Sequence, residues 1–115
     1  MQLKAFLDSL QSSPESIEFQ DTMAVIEVAY LYSPTAFTNG ELVNQAGENE
    51  GSCKLFAFAK LHELSEEKAL ACFGAFYYED VLQNPDSDNH QNIRNFMKTG
   101  WDGITFENEA LKTKK

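Results

Sequence analysis

Gly51-Ser52-Cys53 opens an almost unbroken apolar stretch that runs to Leu61. This spacing places a thiol at the start of a candidate helix. The free N–H groups and partial positive charge of a helix start favour a thiolate. Thiol chemistry also needs a base for the proton and a third group to orient that base. His90, one of two histidines in the chain, can serve as base, with Asn92 or Asp88 as the orienting group. Cys53, His90 and Asn92 are therefore the candidate catalytic set of a thiol hydrolase or transferase. Glu48 and Glu50 precede the cysteine and oppose a thiolate, which favours a protein that is not an enzyme.

His90, Asn92, Arg94, Asn95 and Trp101 form the densest polar and aromatic segment. On a helix, Gln91, Arg94 and Asn95 share one face, and Ile93, Phe96 and Met97 share another. Arg94, Asn95 and Trp101 are the candidate binding residues, with Arg94 expected to pair with a carboxylate. Cys72 lies on an apolar stripe with Ala69, Phe73 and Phe76 and reads as core. His62 follows an apolar helix and is expected to favour its C-terminal end as a partial cation.

No metal site and no cofactor are expected. Two cysteines and two histidines, scattered along the chain, do not supply the roughly four closely spaced ligands of a zinc site. Asp86 and Asp88 resemble the start of a calcium loop, but Gln91 stands where glycine is required and Met97 where glutamate is required. The glycines at 47 and 51 lack the Gly-Lys-Ser/Thr ending of a phosphate loop, and Glu48 and Glu50 repel phosphate.

The elements that position these residues follow from periodicity. Leu3, Phe6, Leu7 and Leu10 form one face of a short helix that ends before Pro14. Asp21 or Thr22 can cap a second helix through Met23, Val25 and Ile26. Residues 30–38 read as extended and broken at Pro34, and Asn39-Gly40 is a turn signal. Residues 44–52 read as a loop, with Ser52 as the N-cap of a buried helix from Cys53 to Leu61. Ser65 caps a partner helix that continues to Leu82, with Gly74 as a kink. Asp88 or Asn89 caps a helix ended by Gly100, and Ile104-Thr105-Phe106 alternates as a strand. The fold expected is α+β: a mainly helical single domain with a small antiparallel sheet from segments near 30–38 and 103–107. An all-α bundle is the alternative. Residues 1–111 form the domain and 112–115 a mobile basic tail.

Composition limits the partners. The chain has 115 residues, 43% of them hydrophobic, with nine Phe, four Tyr and one Trp, enough for one core. Its formal charge of −9 repels phosphate backbones and anionic lipid, so neither nucleic acid nor membrane insertion is expected. No segment reaches the ~20 apolar residues of a membrane span, and no cleaved secretory signal is expected. The acidic body suits a basic protein partner.

Five blocks carry a family resemblance: Ser-Ile-Glu-Phe at 16–19, Pro-Thr-Ala-Phe-Thr-Asn-Gly at 34–40, Gly-Ser-Cys-Lys at 51–54, Ala-Cys-Phe-Gly at 71–74, and His90 to Met97 followed by Gly100-Trp101. In this order and spacing, over roughly residues 2–111, the chain resembles the HopJ (HopPmaJ) type III effector family. The resemblance implies a compact bacterial domain, made in the cytoplasm and secreted into host cells as a virulence protein. It implies no reaction and assigns no catalytic residue. The expected function is an effector-like protein-interaction module. A Cys53-dependent enzyme and a non-exported housekeeping protein are the alternatives.

Overall fold

In a computed structural model that describes residues 2–114, five α-helices and five short strands form one α+β unit. Helix α1 spans Leu3–Ser12 and buries Phe6 and Leu10 from its apolar stripe. Pro14 then opens a single 3-10 turn. Helix α2 spans Phe19–Ala29 and starts earlier than its β-branched residues suggest. Asp21 caps it from within, accepting the Glu18 N–H at 3.1 Å. Thr22 turns inward and donates to the Cys72 carbonyl at 2.8 Å, joining two distant segments in the core.

The extended stretch divides at Pro34 into β1 (Tyr30–Tyr32) and β2 (Phe37–Asn39). Gly40, at φ +63°, turns β2 into β3 (Leu42–Asn44), as the Asn-Gly signal indicates. Strand β4 (Ile104–Phe106) pairs antiparallel with β2 on its other side, with Phe37 opposite Phe106. The sheet order is β3-β2-β4, and the expected small antiparallel sheet is present. Strand β1 takes a different partner. It pairs with β5 (Leu111–Thr113), so part of the segment set apart as a mobile tail is a strand. Ala110 and Leu111 supply the reason: both are buried, and they draw Lys112 and Thr113 into register with Leu31 and Tyr30. Lys115 lies outside the described residues.

Helix α3 (Glu50–Leu61) is the centre of the core, and Leu55 to Ala59 are all buried. Burial of five successive residues, more than one full turn, explains why this stretch is apolar without interruption. The Phe56 ring meets Phe37, Phe73, Phe96 and Trp101 at centroid distances of 6.2, 5.5, 4.9 and 6.4 Å. Ser65 caps α4 (Glu66–Ala71) through the Lys68 N–H. The helix does not continue to Leu82. Gly74 sits at φ +61°, and a Cβ there would lie 2.9 Å from the Phe19 nitrogen. The chain breaks so that the backbone of residues 17–19 can dock on that glycine. It resumes as one π-helical stretch, Phe76–Val81.

Helix α5 (Gln91–Thr99) ends at Gly100, also left-handed at φ +61°. A side chain at Gly100 would collide with the Glu66 carboxylate, which accepts the Trp101 N–H at 3.1 Å. Trp101 Nε1 donates to the Leu64 carbonyl at 2.9 Å, fixing the end of α5 against the start of α4. Met97, expected on the apolar face, is 44% exposed.

His62 ends α3 in a different role from the one its position suggests. The Tyr30 hydroxyl and His62 Nε2 share a hydrogen bond of 2.6 Å, and the imidazole packs 4.6 Å from the Phe58 ring. Burial lowers the His62 pKa, which favours a neutral ring over a helix-end cation. A histidine with a depressed folded pKa stabilises fully above its unfolded value and loses that contribution as pH falls. Native stability is therefore expected to decline as pH drops below 6.5, the ordinary histidine value. Chemical unfolding across this range checks it: His62→Gln should flatten the decline relative to the native chain.

Candidate functional site

Two helix starts meet at one cleft of about 530 Å³. Asn49 and the first turn of α3 bring Gly51 and Ser52, and His90 and the first turn of α5 bring Gln91 to Ile93. Both helices begin from a left-handed, non-glycine residue: Asn49 at φ 48° and His90 at φ 53°. Asn49 and His90 thus replace the expected caps Ser52 and Asp88 or Asn89. Non-glycine residues are uncommon in this region, and asparagine and histidine are among those enriched there. Neither helix has a side-chain cap, so first-turn N–H groups of α3 and α5 remain free to donate at the cleft.

Phe19, Phe73 and Phe76 form the apolar wall. Phe19 stacks on Phe73 at 6.2 Å and meets Phe76 edge-on at 5.2 Å. Gly51 makes this wall possible, because a Cβ there would lie 2.8 Å from Phe19 Cζ. The π-helical stretch supplies both Phe76 and Asp80. Asp80 Oδ2 holds His90 Nε2 at 3.1 Å, and the His90 ring lies 5.2 Å from Phe76. Such stretches often accompany functional sites because they re-aim side chains that a regular helix would align.

The structure separates the sequence-derived candidates. Gly51 and Ser52 face the cleft, but Cys53 turns inward and is 1% exposed. Its sulfur lies 3.8 Å from the Thr35 carbonyl oxygen, and burial raises its pKa. The Tyr32 hydroxyl, near Cys53 and Glu50, is also raised, first by burial. His90 is engaged with Asp80, and Asn92 with other asparagines. No hydrogen bond joins Cys53, His90 and Asn92. Cys72 is core, its thiol pushed up to about 12 by burial.

Arg94 pairs with no carboxylate. Its guanidinium donates to Asn89 Oδ1 at 2.7 Å and to the carbonyls of Asn89, Pro85 and Asp80, framing the loop before α5. Asn95 is half-buried, and Trp101 packs into the fold as described. Among the described residues, no three His, Cys, Asp or Glu side chains gather as a metal site, and no helix is long and apolar enough to cross a membrane. Phe19 and Phe76 line the cleft without being marked for it by the sequence, and Asp80 joins it only through His90. A continuous helix through residues 66–82 assigns Phe76 to the core, and only the break at Gly74 moves it outward.

Asn92 fastens the cleft to the sheet. Its Oδ1 accepts from Asn39 Nδ2 at 3.1 Å and Asn44 Nδ2 at 3.2 Å. Its Nδ2 donates to Asn44 Oδ1 at 3.1 Å, which also accepts from Asn49 Nδ2 at 2.7 Å. Asn39, Asn44 and Asn92 are all buried. Each buried donor left without an acceptor costs about 1–3 kcal/mol. Asn92→Ala, which strips acceptors from two buried amides, should therefore destabilise the protein by about 3 kcal/mol in urea unfolding. The same substitution should broaden or shift the amide resonances of residues 49–52.

Comparison with known proteins places this geometry in a family. No curated protein matches the chain. The crystal structure of a protein of unknown function, VPA0580, superposes with a TM-score of 0.98 at 61% sequence identity. The match covers 99% of this chain and 95% of that one. The family model described as HopJ type III effector protein matches residues 3–111, nearly the full length. The chain therefore belongs to the HopJ type III effector family.

Proposed function

We propose that this protein is an effector-like module that acts by binding another protein, not by catalysis. The observation that carries this reading is the state of the thiol. Cys53 is 1% exposed, raised by burial and bonded to no base, whereas a nucleophilic cysteine needs access and a lowered pKa. The acidic surface supports a basic partner, since a net charge of −9 accelerates encounter with cations and rejects anions. Family membership supports synthesis in the bacterial cytoplasm and type III secretion into host cells.

Thiol chemistry tests the reading directly. Iodoacetamide should leave both cysteines unmodified in the native protein and label them only after denaturant is added. Cys53→Ala should retain the effect of the native protein in host cells. Rapid native labelling of Cys53, with loss of that effect in a stably folded Cys53→Ala variant, would overturn the proposal in favour of a thiol enzyme. A reporter fused to the N-terminal segment should leave the bacterium through a type III apparatus. Export no greater than that of the reporter alone would instead mark a resident bacterial protein.

A further inference from the structure

We propose that the cleft between the starts of α3 and α5 is a docking groove for a basic peptide segment with one large apolar anchor residue. The inference rests on reading the protein as a binding module and gives that module a site.

Apolar surface comes first. Phe76 is 39% exposed, unusual for a phenylalanine beside a packed aromatic wall. The wall does not end at the cleft. Phe19, Phe73 and Phe76 also line an adjoining depression of about 240 Å³, together with Glu18, Gln20 and Ala75. The two hollows therefore share one aromatic ridge. A ridge between polar rims suits an anchor side chain whose flanking backbone runs to either side.

Charge decides the kind of peptide. Neither hollow is lined by a lysine or arginine among the described residues. Glu18 lines the smaller hollow, and Asp80, 48% exposed at its side chain, bonds His90, which lines the larger. Glu48 and Glu50 are exposed in the adjacent loop and first turn. The chain's one arginine, Arg94, already spends its donors on carbonyls. A cationic segment thus meets carboxylates on several sides, while an acidic one is repelled.

The groove floor sets the peptide's direction. The uncapped helix starts offer N–H groups that accept neither cations nor further donors. They suit the carbonyl groups of an extended backbone. Peptide carbonyls therefore face the helix starts, its cationic side chains lie along the carboxylate rim, and its anchor covers Phe76. A phosphate would also suit the helix starts, but it would enter past Asp80 and Glu50 with no cation to hold it.

Random peptides displayed on phage and selected against the full chain provide the test. The expected pool carries lysine or arginine on both sides of a single Trp, Phe or Leu. A synthetic peptide from that pool should shift the amide resonances of Gly51, Ser52, Phe76 and Gln91, and its affinity should fall as salt rises. Phe76→Ser should weaken binding about tenfold, as expected for an anchor contact. Glu18→Gln with Asp80→Asn should weaken it and flatten the salt dependence. Met97→Ser, on another face, should leave it unchanged, with thermal melting confirming that each variant folds. No enrichment, an acidic pool, or binding indifferent to Phe76→Ser each overturns the groove. Inorganic phosphate should not shift the Gly51, Ser52, Gln91 or Asn92 amides, and saturable shifts with phosphate would replace the peptide by an anion. Peptide binding at another face would refute the groove and leave the module intact. Native labelling of a functionally required Cys53 would refute the module.

Discussion

A single buried carboxamide ties together the parts of this molecule that matter for recognition. Asn92 is the second residue of α5, yet its bonds reach β2 through Asn39, β3 through Asn44 and, one step further, the start of α3 through Asn49. Amides suit this position because each offers donors and acceptors without charge. An ion pair here would carry the desolvation penalty of two buried charges, and an apolar residue would take one acceptor from each of Asn39 and Asn44. Both left-handed helix starts are over-determined by this cluster, which lets an unfavourable backbone angle at His90 persist. The cleft is thus part of the packed body and is set before any partner arrives.

The sequence makes much of this plan legible where local chemistry is decisive. The stripe of α1, the apolar run of α3, the Ser65 cap, the Asn-Gly turn and the stop at Gly100 each follow from a short-range rule. The pairing of 37–39 with 104–106 follows from alternation. What escapes is set by distant contacts. Nothing near Leu111 announces a strand, because only the burial of Ala110 and Leu111 against the core orders it. Gly74 signals a kink but not a full break, because the cause of the break is the backbone of residues 17–19.

The site was half legible for a related reason. Gly51-Ser52 and His90–Asn92 do converge at one cleft. Cys53, next in sequence to Ser52, is buried and does not line it. Consecutive helical residues point about 100° apart, so when Ser52 faces the cleft Cys53 faces the core. Proximity in sequence to a helix start made the thiol attractive, and helix rotation removes it. Arg94 illustrates the same limit: its charge suggests an ion pair, while geometry spends it on loop carbonyls.

The ladder between Tyr30–Tyr32 and Leu111–Thr113 joins segments separated by most of the chain. Closing so long a loop carries a large entropic cost, recovered only when both ends are present. A chain still emerging from the ribosome lacks this ladder entirely, leaving Tyr30 and the end of α2 without their cover. Strand β5 thus acts as a clasp, completed only after synthesis has passed Thr113.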